Sequence, residues 1–326
     1  MECITLRIQQ KDINIAVQVA GQHHARPMIL LHGFPSNRHL WRRCIPPLAA
    51  DYRVYAPDLP GYGDSDKPCG VRYNATFYVR FLEAMRRALD LDRFILVAHD
   101  VGGMAALAYA VKHPATLSHL VVMDTTAYAD WPRPLQVMVK KARTRWGAFW
   151  FTRHRVFRQV LQRYLVYRPD VFSPLRAERY RQPWIRDADG RRAFRQALLP
   201  GPDEWAVPRE DLRRLAVPTL VLWAVEDRII PLSIGRRLSE DIPGARLVTI
   251  RECGHFLQEE NPRAVSDHID TFVKATYRGA SKGMANNANL RRLKAETIGD
   301  DERRKRWEPF TASPVWYCWR WPCWWG

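Results

Sequence analysis

The sequence predicts an α/β fold, in which helices flank a mostly parallel, eight-stranded sheet and a helical cap is inserted before the last two strands. Two observations carry this prediction. Residues 1–130 and 216–277 alternate short apolar runs, typical of buried strands, with stretches of helical spacing. Residues 131–215 interrupt that alternation, because they have helical stretches and no strong buried-strand run. We therefore expect a core made of the two outer segments and a cap, or lid, made of the middle one.

The elements follow from the hydrophobic pattern, taken in chain order. Apolar and polar side chains alternate at the N-terminus, which predicts a hairpin, and continuous apolar runs predict strands buried on both faces. The eight predicted strands are residues 4–8, 13–20, 28–31, 53–60, 94–98, 120–124, 219–225 and 246–250. Helical spacing is found around residues 40–50, over 74–89, from the turn at 99–103 toward 113–114, over 149–164 in the cap, and over 262–276.

The net charge of +17 is unevenly distributed along the chain. Residues 131–215 carry 20 Lys and Arg against 8 Asp and Glu, and residues 275–326 carry 10 against 5. The remainder is balanced, so the excess lies in the predicted cap and in the tail. No nucleic-acid recognition motif accompanies these charges. We interpret them as solvated helix faces and expect no nucleic-acid partner.

Composition limits the remaining classes. No apolar run approaches the ~18 residues that span a membrane, and no signal peptide opens the chain. The expectation is a soluble, cytoplasmic protein with no membrane span. The six cysteines are scattered and form no C-x-x-C pair, so neither a disulfide framework nor a zinc site is expected. Residues 278–326 form a basic, Trp-rich extension that we expect to be poorly ordered, with a partner or membrane-surface anchor as the alternative.

Residues 94–110 carry the strongest chemical signal. An apolar strand runs into the tight turn His99-Asp100-Val101-Gly102-Gly103, and an Ala-rich helix leaves it. A strand, a tight turn and a helix around one reactive residue make the layout of a nucleophile elbow. The central residue of such an elbow is usually serine, whereas here it is Asp100.

A carboxylate at this position restricts the chemistry. Aspartate is already ionised at pH 7, so it attacks without a base. Attack on an ester or amide carbonyl would give an anhydride, which is unproductive. The plausible target is an sp3 carbon that bears a leaving group, as in a carbon–halogen bond or an epoxide. The resulting ester on Asp100 must then be hydrolysed by water, and His255 is the candidate general base for that step.

Five motifs, spread over residues 4–275, give the chain a family resemblance. They are His32-Gly33-Phe34-Pro35, Asp58-Leu-Pro-Gly-Tyr-Gly-Asp-Ser65, the elbow, Glu226-Asp227-Arg-Ile-Ile-Pro231 and Gly254-His255. In this order they resemble an α/β-hydrolase with a helical cap. The aspartate at the elbow is similar to the branch that contains epoxide hydrolases, haloalkane dehalogenases and haloacetate dehalogenases.

The resemblance implies a role for each motif. The catalytic triad would be Asp100, Asp227 and His255, in the order of the fold; Asp124, after the sixth predicted strand, is the alternative acid that some dehalogenases of this branch use. The backbone N–H groups of Phe34 and Val101 would form the oxyanion hole. The remaining motif residues are supporting: His32 either assists that site or makes a structural hydrogen bond beneath the turn, and His99 braces the elbow.

The residues that would hold the leaving group depart from each subfamily. Haloalkane dehalogenases hold halide with a Trp and often an Asn where this chain has Val101 and Phe34. Haloacetate dehalogenases bind the substrate carboxylate with Arg residues at the positions where this chain has Val101 and Met104. Epoxide hydrolases use cap tyrosines, and Phe194 stands where the second one is expected. The remaining donor candidates of the cap are Tyr164, Tyr167, Tyr180 and His154. Cap tryptophans would line an apolar pocket or bind halide, with packing expected for most: Trp131, Trp146, Trp150, Trp184 and Trp205.

The sequence therefore predicts a hydrolase of small organic molecules that uses neither a metal nor an organic cofactor. Epoxide hydrolysis is the first expectation, narrowly ahead of dehalogenation of an alkyl halide or haloacid. A hydrolase of another substrate class, with Asp100 as a base, is a third. The alternative outside enzymes is an inactive ligand- or partner-binding module. The sequence makes no prediction of oligomeric state.

Overall fold

The structure, a computed structural model, describes residues 2–281. Its eight strands form a single sheet: β1 (Glu2–Ile8), β2 (Lys11–Ala20), β3 (Pro27–Leu31), β4 (Arg53–Pro57), β5 (Phe94–His99), β6 (Leu117–Met123), β7 (Thr219–Ala224) and β8 (Arg246–Ile250). All eight were predicted. Their bounds differ most at β4, which ends at Pro57 instead of residue 60, and at β6, which begins three residues before the apolar run because Leu117 and His119 are also buried in the ladder with β5.

The strand order is β1-β2-β4-β3-β5-β6-β7-β8. The hairpin β1–β2 is antiparallel and joins β4 in antiparallel fashion, whereas every pairing from β4 onward is parallel. The order reverses at β3, which lies between β4 and β5. In parallel α/β sheets the ligand site lies at the carboxyl ends of the strands, near such a reversal. The loops after β3 and β5 are thus the first place to look.

Twelve α-helices accompany the strands within residues 2–281: α1 (Ile45–Leu48), α2 (Ala75–Ala88), α3 (Val101–Lys112), α4 (Arg133–Ala142), α5 (Arg145–Phe151), α6 (His154–Val160), α7 (Pro174–Ile185), α8 (Ala188–Ala197), α9 (Arg209–Arg213), α10 (Leu232–Asp241), α11 (Leu257–Glu260) and α12 (Pro262–Ser281). Helix α10 was not predicted. Helices α4 to α9 all lie between β6 and β7, in the segment that the sequence assigns to the cap.

Helix α2 shows how the pattern produces an element. The Asn74 side chain accepts a hydrogen bond from the Phe77 N–H and so caps the first turn. Phe77, Phe81 and Met85 recur at helical spacing and are fully buried. This apolar stripe holds the helix against the sheet, as the spacing predicts.

The helix predicted over residues 149–164 is wrong as a continuous element. The structure has α5, then α6, then a π-helical turn at Leu161–Leu165. The break falls at Thr152, the C-cap of α5, whose N–H and hydroxyl both donate to the carbonyl of Ala148. Hydrophobic spacing does not detect such side-chain hydrogen bonds at a helix end.

Two adjacent carboxylates fasten the cap to the core. Glu259 is fully buried and accepts hydrogen bonds from the Arg42 guanidinium and the Tyr180 hydroxyl. Glu260 accepts from the backbone N–H groups of Gly254, Tyr167 and Arg168. Cap residues 167–180 are therefore held to α11, which directly follows the His255 loop.

Two observations bear on membranes and on the C-terminus. Within the described residues, no helix is long and apolar enough to cross a membrane. The extension predicted from residue 278 continues α12 as far as Ser281, and the rest of it lies outside the described residues.

Candidate active site

Asp100 occupies a strained turn between β5 and α3. Its φ angle is +50°, a region that a side chain with a Cβ seldom adopts. Three hydrogen bonds hold the turn: the Asp100 N–H donates to the Met123 carbonyl, and the Asp100 carbonyl accepts from the Thr125 hydroxyl and the Met104 N–H. These bonds maintain the strained turn. The turn places the carboxylate at the carboxyl end of the sheet, as expected of a nucleophile elbow.

His255 lies between two carboxylates. Its Nδ1 is 2.7 Å from Asp227 Oδ2, and its Nε2 is 3.5 Å from Asp100 Oδ2. The Asp227 side chain is itself fixed, since its Oδ1 accepts from the N–H groups of Ile229 and Ile230 at 2.7 and 3.0 Å. The structure thus brings the three predicted triad residues together, with Asp227 in the position that orients the histidine.

The charges of this triad follow from its surroundings. Burial lowers the pKa of His255, but the charges and hydrogen bonds of Asp227 and Asp100 outweigh burial and place it well above 6.5. Burial raises the pKa of Asp100, yet contact with His255 brings it below 3.8. These directions favour an ionised Asp100 beside a protonated His255.

Asp124 is the alternative triad acid that the sequence analysis predicts. Its Oδ1 accepts from the Ala224 N–H at 3.0 Å, and its Oδ2 is buried with no hydrogen-bond partner among the described residues. Burial, followed by the negative charge of Asp227, raises the pKa of Asp124 well above 3.8. A neutral carboxyl that bonds to β7 fits a structural role, which leaves Asp227 as the acid that contacts His255.

The predicted oxyanion donors lie beside the nucleophile. The Phe34 N–H donates to Asp100 Oδ1 at 2.7 Å, and Val101 begins α3 at the edge of the same cleft. Gly33 allows this approach, because a Cβ at position 33 would overlap the Asp100 carboxylate. Pro35 follows through a cis peptide bond, and its carbonyl accepts from the Trp184 indole at 3.2 Å.

The two supporting histidines make structural contacts. His32 Nε2 accepts from the Leu59 N–H, which leaves Nδ1 to donate to the Gly33 carbonyl, so the ring sits beneath the turn rather than in the cleft. Burial lowers the pKa of His32. His99 is neutral, since burial and the neighbouring His255 lower its pKa to about 3. Its Nε2 donates to the His255 carbonyl at 2.8 Å and so braces the histidine loop.

A cleft of about 510 Å³, counting its open mouth, lies over Asp100 and His255. The elbow and core contribute Phe34, Val101, Met104 and Ile229 to its lining. The cap contributes the rest: Trp131, Leu135, Met138, Val139, Leu165, Ala197, Leu198, Pro200 and Trp205. Sequence reasoning missed the α4 residues, although the spacing of Leu135, Met138 and Val139 marks one helix face. The lining is apolar and favours an uncharged substrate.

None of the four donor candidates of the cap lines this cleft. Tyr180 donates its hydroxyl to Glu259, and Tyr164 packs on the core with the Arg163 guanidinium 6.0 Å from its ring centre. Tyr167 is 42% exposed, and His154 lies at the surface 3.8 Å from Glu178. Phe194 packs on Phe34, so that position supplies no hydroxyl either. These side chains either pack the cap against the core or lie on its surface.

Trp131 is the donor that the cleft does contain. It lies between β6 and α4, is 7% exposed and lines the cleft. Its indole N–H is buried and has no hydrogen-bond partner within the described part of the chain. An unpaired buried donor costs free energy unless a ligand satisfies it. Trp131 thus carries an unpaired N–H within the wall of the cleft.

No side chain of Lys, Arg or Tyr lines the cleft in residues 2–281. Val101 and Met104 both face it, so the two positions where a carboxylate clamp would stand are apolar. In the same range, no group of three or more His, Cys, Asp and Glu residues could hold a metal ion.

Comparison with known proteins places this geometry in context. A protein-family profile described as alpha/beta hydrolase fold matches residues 26–262. The chain is 29% identical over 262 residues to a 2-hydroxy-6-oxo-2,4-heptadienoate hydrolase of Pseudomonas putida, covering 76% of this chain and 89% of that protein. It is 26% identical over 305 residues to epoxide hydrolase 3 of Xenopus tropicalis, covering 83% and 78%.

A shorter match has higher identity. A fluoroacetate dehalogenase of Burkholderia is 40% identical over 117 residues, which cover 35% of this chain and 38% of that protein. Among solved structures, a meta-cleavage product hydrolase of Pseudomonas fluorescens superposes with a TM-score of 0.70 at 24% identity, covering 84% of this chain and 98% of that one. At that identity the superposition shows the fold alone.

Proposed function

The chain belongs to the alpha/beta hydrolase fold family, and from that premise we propose that it hydrolyses an uncharged, apolar organohalide through a covalent ester on Asp100. The first step forms a bond between an Asp100 oxygen and the carbon that bears the halogen. The carbon–halogen bond breaks, and its electron pair leaves with the halide. Oδ1 is held by the Phe34 N–H, which leaves Oδ2 as the attacking oxygen.

The second step regenerates the carboxylate. Alkylation neutralises Asp100 and removes one of the charges that raise the pKa of His255. His255 then releases its proton to solvent and, held by Asp227, takes a proton from water. The hydroxide adds to the ester carbonyl, whose oxygen stays at the Phe34 N–H while negative charge develops on it. Collapse breaks the bond to the alkyl oxygen, which takes the proton from His255 and leaves as the alcohol, and Asp100 is restored.

Trp131 supports halide as the leaving group. A halide departs as a stable anion and needs only hydrogen-bond donors, whereas an alkoxide must receive a proton. The cleft offers the unpaired indole N–H of Trp131 and no tyrosine hydroxyl among the described residues. This observation moves the proposal from epoxide opening, the first expectation of the sequence, to dehalogenation.

The apolar lining narrows the substrate further. The named substrates of the P. putida relative and the Burkholderia relative carry a carboxylate. A buried carboxylate would need a cation, and within residues 2–281 the cleft offers only His255, which is already paired with Asp227 and Asp100. Uncharged alkyl halides fit better than haloacids or dienoates.

Epoxide hydrolysis is the second candidate, supported by the charge of His255. An imidazolium 3.5 Å from Asp100 could give its proton to the opening epoxide oxygen. It would then be neutral and ready to act as the base for water. In that case the carbon–oxygen bond of the ring breaks and a diol is the product.

The test is turnover of an uncharged panel of alkyl chlorides, alkyl bromides and epoxides, with halide and diol measured. Trp131→Phe keeps an aromatic ring and removes the N–H; loss of one hydrogen bond to a charged group predicts a fall in kcat/KM of roughly 10- to 100-fold for a chloride. Trp205→Phe is the comparison variant, since Trp205 is the other tryptophan that lines the cleft and its ring stacks on Tyr78. Diol without halide, or equal effects of the two variants, would refute the halide assignment.

A further inference from the structure

A cluster of exposed aromatic side chains lies on the outer surface of the cap. Val137 of α4 and Trp146, Phe149 and Trp150 of α5 are 44%, 76%, 49% and 46% exposed, and we term them the aromatic patch. The rings are contiguous, with centroids 6.4 Å apart for Trp146 and Phe149 and 5.7 Å apart for Phe149 and Trp150. Contiguous exposed aromatic surface of this kind marks an interaction site.

The chain segment that carries the aromatic patch has charge of one sign. Residues 131–169 contain ten Lys and Arg and no Asp or Glu. Lys140, Arg143, Arg145 and Arg153 are exposed, and the Arg153 guanidinium is 5.4 Å from the Phe149 ring centre. The patch therefore complements a surface that is negatively charged outside and apolar beneath.

We propose that the aromatic patch and its basic rim dock the cap on an anionic phospholipid surface. Indole and phenyl rings settle at the boundary between headgroups and acyl chains, while neighbouring lysines and arginines pair with anionic headgroups. Each basic residue near such a surface strengthens the attraction. The patch has both parts, on two short helices that lie side by side.

The position of the aromatic patch links docking to the cleft. Helix α4 carries Val137 and Lys140 toward solvent, while Leu135, Met138 and Val139 on its other side line the cleft. Docking would place the cleft beside a membrane, where apolar molecules concentrate. This link to substrate rests on the proposed function, whereas lipid binding itself does not.

The test is co-sedimentation of the full chain with vesicles of phosphatidylcholine and phosphatidylglycerol, compared with pure phosphatidylcholine. The wild type is expected to bind the anionic vesicles more tightly, and less so as salt is raised. Trp146→Ser/Phe149→Ser/Trp150→Ser and, separately, Lys140→Glu/Arg143→Glu should each weaken binding by about tenfold or more. Circular dichroism checks that these surface variants are folded.

Matched controls lie elsewhere on the described surface. Leu175 and Leu199 are 70% and 46% exposed, and Arg214 and Arg263 are 77% and 92% exposed. Leu175→Ser/Leu199→Ser and Arg214→Glu/Arg263→Glu should bind as the wild type does. The proposal is overturned if the patch variants bind vesicles as well as the wild type. It is also overturned if the patch binds single-stranded RNA or a second copy of the chain instead of vesicles. If the protein binds vesicles but releases no halide, the proposed function fails and the docking proposal stands.

Discussion

His255 stands between two carboxylates, and this arrangement predicts how the two half-reactions depend on pH. Asp100 has a pKa below 3.8 because contact with His255 outweighs burial. Its carboxylate is therefore ionised throughout the range in which the protein is assayed. His255 is protonated in the free site, and loses one of its two negative neighbours when Asp100 becomes an ester. The same histidine thus has a lower pKa in the intermediate than in the free protein.

Ester formation should be independent of pH from about pH 5 upward, since the nucleophile needs no activation. Ester hydrolysis should accelerate as pH rises through the pKa of His255 in the intermediate, because only neutral imidazole accepts a proton from water. Single-turnover rapid quench measures the two rates separately. If ester formation instead rises with pH through neutrality, then Asp100 is not a free carboxylate and the assigned charges are wrong.

The identity of the nucleophile and histidine could be predicted from sequence because each follows a distinctive local pattern. The leaving-group donor could not. Tyr180 and Trp131 are both buried cap-segment aromatics, and only the structure shows that Tyr180 donates to Glu259 while Trp131 lines the cleft unpaired. The direction of a cap side chain depends on helix packing, which the spacing of a single segment does not determine.

The loop between β3 and α1 positions the nucleophile through a glycine. A methyl group at position 33 would overlap Asp100 Cβ and Oδ1. Gly33→Ala should therefore displace the carboxylate from the Phe34 N–H and lower kcat/KM by at least about 100-fold, as small misplacements at reacting groups do.

Gly201→Ala is the control for that substitution, because nothing lies within 4 Å of the added Cβ at position 201 and its φ is negative. Both variants are assayed for kcat/KM and for thermal unfolding. Near-normal turnover by Gly33→Ala would show that the close approach of this loop to Asp100 is unimportant.

The junction between α11 and the cap predicts an effect on stability. Glu259 is buried against Arg42 and Tyr180. Glu259→Gln removes the partner of a largely buried guanidinium and should lower the free energy of unfolding by about 3 kcal/mol. Glu178→Gln, which removes the partner of Arg181 near the surface of the cap, should cost less than about 1 kcal/mol. Urea unfolding compares the two, and an equal loss would deny Glu259 this anchoring role.

Strands buried on both faces, such as β3, β5 and β7, could be predicted closely from sequence. A short continuous apolar run is compatible with few structures other than a buried strand. Short cap helices could not. Thr144 and Thr152 decide where α5 begins and ends through hydrogen bonds to nearby backbone groups. Such hydrogen bonds set helix ends without changing the hydrophobic period.

In the molecule as a whole, the candidate catalytic side chains and the excess positive charge lie in different segments of the chain. The core supplies Asp100, Asp227 and His255, and the cap supplies most of the apolar lining together with the positive charge. The sequence predicts both regions from the change in hydrophobic pattern and charge. It could not show that α4 has one side at the cleft and the other at the surface, since that depends on how the cap packs over the strand ends.

The covalent ester on Asp100 is the central claim, and it is tested most directly by a single turnover in H2(18)O with excess enzyme. Water attacks the ester carbonyl, so the label should enter the Asp100 carboxylate and the alcohol should carry the original oxygen. Mass analysis of the peptide that contains Asp100 should show the added label, and His255→Gln should retain the alkyl group there instead. Label found only in the alcohol, with an unlabelled Asp100 and an unmodified His255→Gln protein, would contradict the account.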